Sequence, residues 1–375
     1  MIHFNMPYMT GEESHYILEA IASRKLSGGN TFSQACSDSI KSITGGGEVK
    51  MVPSGTHALE MSAILSQIDR GDEVIMPSFT FSSTANAFIL RGAKIKFIDI
   101  RPDTLNMNEE LIEGAITKKT KAIVVVHYAG VGADMDKIMK VSESNNLVVV
   151  EDAAQCLLSY YRGKHLGTFG DSGCFSFHET KNIQCGEGGA VLINKSDLLD
   201  RSDVIMEKGT DRKKFLNGEV DKYSWKDLGS SFLMNEITAA FLYAQLQKAE
   251  EITDYRLKLW NIYKEELKDI DKIETPTIPR YCKHNGHIFF IKLENEKLRN
   301  RMQIFLHENG IQAVSHYVPL HTSSFGLKVS SFIGEDIYTT KESFRLLRLP
   351  LHNNMSKNDI LYVSQKIKDF FRAGF

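Results

Sequence analysis

From Val49 onward the chain repeats one pattern: a short apolar run, a break at glycine, proline or serine, then apolar positions recurring every three or four residues. The run ending at Val52 precedes Ser54-Gly55-Thr56, which opens the helical pattern HALEMSAILSQI. Strands are predicted over 73–76, 94–98, 122–126 and 147–151, and helices over 82–90, 109–115 and 135–145. Short continuous apolar strands alternating with amphipathic helices describe a mainly parallel sheet covered on both faces. Ligands of such sheets sit at the carboxyl ends of the strands. Residues 53–56, 77–81, 127–128 and 152–155 all fall at such ends, so four separate segments converge on one edge.

The flanks are patterned differently. Helices are predicted over 12–23 and 32–43, broken at Ser27-Gly28-Gly29 and Gly45-Gly46-Gly47, loops that either link flexibly or line a pocket. A helix up to Met206 is followed by a polar stretch, 208–227, too long for a tight connection and read as a disordered loop or a binding arm. A long helix over 234–267 then bridges into a C-terminal region with strands at 287–293 and 311–315 and helices at 297–308 and 356–371. The division expected is a large α/β domain, 1–245, with an N-terminal arm, and a small α+β domain, 246–375.

Composition removes several classes of function. The 375 residues carry a net charge of −2, with 25% charged residues of both signs interspersed, which gives no basic surface for nucleic acid. No apolar run approaches the roughly 18 residues that span a bilayer, and the first residues carry carboxylates where a signal peptide has its apolar core. Five cysteines, at 36, 156, 174, 185 and 282, form no C-x-x-C pair, so neither a metal site nor a disulfide framework is expected. These features predict a soluble protein of the reducing cytoplasm.

The candidate chemistry centres on GCFSFHETKNIQCGEGG, residues 173–189. A short apolar strand, 174–177, leads to Lys181 and then to Gly186, Gly188 and Gly189. A lysine between a buried strand and a glycine-rich loop is placed to reach inward, and partial desolvation turns its amine into a nucleophile toward carbonyls. Some thirty residues earlier, VVVEDAAQ delivers Asp152 at a strand end. This is the layout of a pyridoxal 5′-phosphate (PLP) site, with Lys181 holding the aldehyde as a Schiff base and Asp152 paired with the pyridinium nitrogen. By strand alternation Glu151 faces the other way. Ser54, Gly55 and Thr56 at a helix N-terminus form a phosphate cradle or simply cap the helix. Ser176 is a second phosphate ligand, Gln155 a contact to the ring edge, and Phe81 a stacking ring or a core residue. His178 is catalytic or positions the loop, and Cys185 is a reactive thiol or fills space beside the cofactor.

The combination SGT, PSFTF, EDAAQ, FSFHETKN and GEGG resembles the DegT/StrS-type sugar-nucleotide aminotransferases, which are fold type I PLP enzymes with a mainly parallel, seven-stranded-type sheet. The resemblance covers nearly the whole chain. It implies that Lys181 and Asp152 are catalytic, and that Ser54, Gly55, Thr56, Phe81, Gln155 and Ser176 hold the cofactor. It also implies a homodimer with shared active sites. Further motifs, among them LRGAKI, RPDT, VHYAG, VDKY and DLGSS, imply transfer of the amino group of L-glutamate to C4 of dTDP-4-dehydro-6-deoxy-D-glucose. The product would be dTDP-4-amino-4,6-dideoxy-D-galactose, destined for a surface polysaccharide or antigen. The alternatives are a gluco product, a C3 keto-sugar or a UDP-sugar. A dehydratase of this fold carries histidine where Lys181 stands, and a non-catalytic regulator has no need of Lys181 with Asp152. One departure is plain: where many members have G-Y-N-Y-R-M, this chain has Gly229-Ser230-Ser231-Phe232-Leu233-Met234. Ser231 replaces the asparagine as a phosphate contact from the partner, but Leu233 cannot replace the arginine as a carboxylate anchor. Arg212 and Lys222 in the polar arm are candidates for that anchor, and His316, Tyr317 and His321 in SHYVPLH for orienting the sugar.

Overall fold

In the computed structural model, which describes residues 1–374, the predicted alternation is realised with small shifts of boundary. Helices α1 (Glu13–Ser23) and α2 (Thr31–Thr44) precede β1 (Glu48–Val52), α3 (Gly55–Leu65), β2 (Glu73–Pro77), α4 (Ser82–Ile89) and β3 (Lys94–Ile98). The single turn α5 (Ile112–Ala115), β4 (Thr120–Val126), α6 (Met135–Asn145) and β5 (Val148–Asp152) complete the regular part. A small hairpin, β6 (Tyr160–Tyr161) and β7 (Lys164–His165), leads to β8 (Ser172–Ser176) and β9 (Gly189–Ile193). Side-chain caps fix the helix starts: Ser54 Oγ accepts from the backbone N–H of His57 at 3.1 Å, and Asp134 Oδ1 from that of Lys137 at 3.4 Å.

The main sheet has the order β1-β9-β8-β5-β4-β2-β3-β12, where β12 is Ser330–Phe332. Neighbours from β8 to β12 pair in parallel; β9 runs against them and pairs antiparallel with both β8 and β1. The first seven strands match the expected sheet, and β12 returns from the C-terminal region to extend it beside β3. Strand alternation divides the core into two layers. Ile75, Ile123 and Val125 face one cluster with α2, α6 and the later residues Ala239, Ala240 and Leu242, while Val74, Met76, Ala122 and Val124 face the other with α3 and α4.

Beyond β9 come α7 (Leu199–Met206) and α8 (Arg212–Leu216), the latter inside the polar arm. The arm is ordered rather than loose: Ser224 N–H donates to Asp211 Oδ1 at 2.6 Å and Thr210 bridges Trp225. The helix expected over 234–267 is two helices, α9 (Glu236–Gln247) and α10 (Ala249–Leu267), because Lys248 leaves helical geometry at φ −114°, ψ 13°. The break lets α9 serve the large core while α10 runs from Ile252 in that core to Leu259, Trp260 and Tyr263 in a second, C-terminal core. That second core is built with β11 (Phe289–Lys292), α11 (Glu296–Glu308), β13 (Leu346–Leu349) and α14 (Lys357–Arg372), after β10 (Cys282–Lys283) has paired with β6. Two short helices, α12 (Gly326–Val329) and α13 (Thr339–Arg345), flank β12. The strand expected at 311–315 is not formed; Ile311 and Val314 make only isolated bridges, to Ile2 and Arg348. β13 already has β11 as its partner, and the chain leaves Val314 for the cavity at His316.

Candidate active site

The carboxyl ends of β1, β2, β4, β5 and β8 border a cavity of about 640 Å³, closed on its other sides by residues of the C-terminal region and by Phe4 and Asn5 of the N-terminal arm. β9 begins at the same edge because it runs antiparallel, with Gly189 opposite both Val52 and Ser176. The 173–189 segment is therefore a hairpin whose connecting loop faces the cavity. Phe177 N–H bonds Gly188 O at 2.8 Å, Cys185 N–H bonds Phe177 O at 2.9 Å, and Lys181 N–H bonds His178 O at 2.8 Å at the loop tip.

At one end of the cavity the N-terminus of α3 meets a set of hydroxyls. Ser54, Gly55, Thr56, Ser83 and Ser176 all line it, with Thr56 Oγ1 and Ser83 Oγ 2.8 Å apart. The glycines make this packing possible. A Cβ on Gly55 would lie 2.8 Å from Ser176 Cβ, and one on Gly189 would lie 2.4 Å from the carbonyl carbon of Ser54. Ser54 caps α3 through His57 N–H, as one of its two expected roles requires, and it also borders the cavity. Free N–H groups at a helix start with converging hydroxyls suit a phosphate.

Asp152 lies deeper. Its Oδ2 accepts from Thr84 Oγ1 at 2.7 Å and its Oδ1 from Ala154 N–H at 3.2 Å. Burial raises its pKa, and these bonds and the charge of Lys181 offset only part of that. Thr84 is itself 2.8 Å from Thr80 Oγ1, so a relay of two hydroxyls steadies the carboxylate. Glu151 points to the opposite side, as the pleat requires, and is bound by His127 Nε2 at 3.0 Å. Ala133 N–H donates to His127 Nδ1 at 3.2 Å, which leaves the ring proton on Nε2 for Glu151.

Lys181 lines the cavity, and no protein group bonds its amine among the described residues. Burial lowers its pKa; Asp152 and Cys156 pull it back up, and Arg348 lowers it further. Phe81 presents its ring to the cavity at 60% exposure, whereas Phe79 of the same PSFTF segment is the core residue, at 1%. Gln155 accepts from Ala129 N–H at 2.6 Å and donates to Tyr317 Oη at 3.1 Å, an arrangement that fixes its amide at the cavity wall. His316 stacks on Tyr317 with centroids 3.7 Å apart and bonds Tyr128 Oη at 2.7 Å through Nδ1.

Four expected site residues lie away from the cavity of their own chain. His321 is bonded to Ser78 Oγ at 2.7 Å and Asp336 Oδ2 at 3.0 Å, so it ties a C-terminal loop to the end of β2. Arg212 pairs with Glu207 at 3.0 Å; Lys222 is exposed in the arm and Ser231 is exposed just beyond it. His178 lines the cavity rim, held by Thr180 Oγ1 at 2.9 Å and by Glu187 at 3.6 Å. Cys185 is buried with its thiol pKa pushed well up by desolvation, the behaviour of a space-filler. The sequence reading missed Thr80, Ser83, Thr84, Arg256, His287 and Arg348. Ser83 and Thr84 had a signal, since they follow PSFTF in the first turn of a helix at the converging edge; Arg348 interrupts an apolar strand, LLRLPL.

The DegT/DnrJ/EryC1/StrS aminotransferase family model matches residues 7–368. The chain belongs to this family. GDP-perosamine synthase of Escherichia coli O157:H7 is 30% identical over 368 residues, covering 97% of each chain. Among solved structures, the aminotransferase TlmJ of Streptoalloteichus hindustanus superposes with a TM-score of 0.91 at 26% identity, over 100% of this chain and 99% of that one. Helicobacter pylori PseC, an aminotransferase involved in the biosynthesis of pseudoaminic acid, gives 0.90 at 25% identity over 99% of both. The fold is that of fold type I PLP-dependent aminotransferases.

Aminotransferases of this family use PLP, and the cavity fits it. A phosphate-sized cradle stands at α3, a buried carboxylate short of a cation at Asp152, an unbonded amine at Lys181 and an uncovered aromatic face at Phe81. These are the four kinds of contact the cofactor needs. No helix among the described residues is long and apolar enough to cross a membrane.

Proposed function

We propose that this sugar aminotransferase moves the amino group of L-glutamate to C4 of dTDP-4-dehydro-6-deoxy-D-glucose, giving dTDP-4-amino-4,6-dideoxy-D-galactose and 2-oxoglutarate in the cytoplasm. The observation that carries the transfer chemistry is the pairing, in one cavity, of the unbonded Lys181 amine with the buried Asp152 carboxylate. Bound there, PLP supplies an electron sink for the carbon that gains or loses the amino group. Lys181 attaches the cofactor between turnovers and moves the proton at the reacting carbon, a contribution of typically about 10²–10⁴-fold for a positioned base. Asp152, steadied by Thr84, would keep the pyridine nitrogen protonated. Of the residues lining the cavity, Phe81 would cover one ring face, Gln155 would meet the ring edge, and Ser54, Gly55, Thr56, Ser83 and Ser176 would hold the phosphate.

The dTDP-sugar assignment rests on the SFHETKN, VHYAG and RPDT motifs, and a relative named GDP-perosamine synthase supports a nucleotide-sugar substrate more broadly. The product would feed a surface polysaccharide or antigen. The active unit is a homodimer. The arm exposes Trp225 at 80%, Leu216 at 63% and Tyr223 at 50%, apolar surface of the kind a second copy covers. Ser231, Arg212 and Lys222 lie outside their own cavity, where they are available to a partner's.

The test is incubation of the PLP-loaded protein with glutamate and a panel of nucleotide keto-sugars, with products read by mass. Amination of the dTDP-4-keto sugar in preference to its GDP and UDP counterparts is expected. Preference for another nucleotide overturns the substrate, and absence of amination on every sugar overturns the transfer reading.

A further inference from the structure

β13 alternates in its contacts. Leu347 and Leu349 pack into the C-terminal core, Leu349 also reaching the cavity wall, whereas Leu346 joins Phe79, Tyr128 and Phe290 in a separate cluster. The pleat places Arg348 on the side of Leu346, and it lines the cavity. Its Nε and Nη2 donate to a single acceptor, the carbonyl of Ser315, at 3.2 and 3.0 Å. The ring of Phe4 lies under it, 4.7 Å from the guanidinium carbon. A guanidinium has five N–H donors, and no other hydrogen bond and no carboxylate ion pair engages this one among the described residues.

A desolvated cation without a counter-ion is costly, and the protein offers none. Burial lowers the Arg348 pKa, with only the phenols of Tyr128 and Tyr317 acting the other way. Lys181 feels the same positive charge, so the two cations share one region. The neighbouring buried carboxylate, Asp152, is taken by Thr84 and Ala154 and by the cofactor nitrogen assigned to it. The region therefore lacks one anion.

We propose that Arg348 anchors the α-carboxylate of the amino-acid donor, an inference that rests on the aminotransferase reading of the site. The donor's carboxylate is one bond from the carbon whose proton Lys181 moves, so its anchor has to lie within the field of Lys181, as Arg348 does. A planar fork with free donors matches a carboxylate in bidentate fashion. The cofactor phosphate has its own cradle at α3, and the diphosphate of a nucleotide-sugar is several bonds from the keto carbon. The other arginine at the cavity, Arg256, is more deeply buried than the half-buried Arg348, is bound to two separate carbonyls, Gly286 at 3.2 Å and His287 at 2.9 Å, and holds the loop that enters β11. Phe4 and Ser315 act as positioning groups for the Arg348 fork. The anchor missing at Leu233 is thereby supplied from the chain's own C-terminal strand.

The experiment uses the PLP-loaded wild type with Arg348→Gln and Arg348→Lys. Glutarate, a dicarboxylate with no amine to react, is titrated by calorimetry, and dTDP separately. The half-reaction is followed by cofactor absorbance with L-glutamate and with 4-aminobutanoate, which lacks the α-carboxylate. Arg348→Gln is expected to weaken glutarate binding and glutamate saturation by about 100-fold, to leave dTDP binding and the 4-aminobutanoate reaction within about twofold of wild type, and so to erase the preference for glutamate. Arg348→Lys, which keeps the charge and loses the fork, should fall between the two and guards against misfolding of the glutamine variant. Glutarate affinity unchanged in both variants would overturn the anchor, and so would loss of dTDP binding with glutarate binding intact. A wild type that no amino acid converts sinks the aminotransferase reading and the anchor with it.

Discussion

Glu151 and Asp152 are consecutive residues at the end of β5 and lie in opposite environments. Glu151 accepts N–H bonds from Gly167, Phe169 and Gly170 at 2.6 to 2.7 Å and is paired with His127. Burial acts to raise its pKa, but His127 and the backbone donors outweigh it and hold the carboxyl below its usual range. Asp152 has one hydroxyl and one long backbone bond, and there burial prevails and raises the pKa. One strand thus delivers a carboxylate fully claimed by the protein and, next to it, one that still wants a cation. The first builds the scaffold, and on the proposed reading the second would meet the cofactor.

The pair predicts opposite responses to pH. Asp152 has a folded-state pKa above its ordinary 3.8, so in the cofactor-free protein its penalty is absent below that value and grows as pH rises through the folded-state pKa. Asp152→Asn should therefore melt higher than the cofactor-free wild type at pH 7 and converge with it in acid. With PLP bound the order should reverse, and activity should fall by about 10²-fold or more. Glu151 has a lowered pKa, so its contribution is present above its ordinary 4.5 and lost as pH falls through the folded-state value. Glu151→Gln should cost about 3–5 kcal/mol at neutral pH, the usual penalty for breaking a buried pair. Thermal melts across pH, with and without PLP, check both; near wild-type turnover in Asp152→Asn would make that residue a cap rather than the cofactor's partner.

On the proposed reading the Lys181 amine is the one that would carry PLP. Borohydride reduction of the loaded protein followed by peptide mapping should place the label in the 173–189 segment at Lys181. Lys181→Ala should still bind PLP through the α3 cradle, visible as free-aldehyde absorbance, and should not transaminate. A label on another lysine would refute the assignment.

Much of this site was legible in the sequence because each part sits at a strand end, and strand ends are marked by a change from apolar to polar residues. Lys181, Asp152, Gln155, Ser176 and residues 54–56 line one cavity. What was not legible came from registry between distant segments. Arg348 reaches the cavity only because β13 pairs with β11 and Val314 bridges Arg348. β12 extends the sheet from more than two hundred residues beyond its partner β3. The break at Lys248 has no proline or glycine to announce it; it is imposed by α9 and α10 having different cores to serve. His321 shares a motif with His316 and Tyr317, yet the turn at Leu320–Thr322 swings it to Ser78 and Asp336.

The exposed apolar arm predicts the assembly. Wild type should sediment at the mass of two chains, and the double variant Leu216→Asp, Trp225→Ala should sediment as one and lose activity, since the arm segment with Ser231 would no longer reach a neighbour's site. A fully active single chain in the ultracentrifuge would contradict the shared-site dimer.

The last expectation concerns where and on which face the amine arrives. On the proposed reading Lys181, which lines the cavity, would deliver the proton to the sugar carbon from one side only, and the configuration at C4 would be set by how the nucleotide-sugar lies across the site. His316 is the residue to watch. It is stacked on Tyr317 and bonded to Tyr128, with its pKa held well below the usual value by burial and the charge of Arg348, so on the proposed reading it would meet the sugar as a neutral, immobile wall. His321, bonded elsewhere, has no part in this. A sugar held by such a wall is aminated on one face, and the expected product has the amine axial at C4, the galacto configuration. Proton NMR of the product decides it. A small H3–H4 coupling is expected; a large one signals a diaxial pair and an equatorial amine, which is the gluco isomer and would reverse the facial assignment. An amine on C3 would overturn the regiochemistry while leaving the roles of Lys181 and Asp152 untouched.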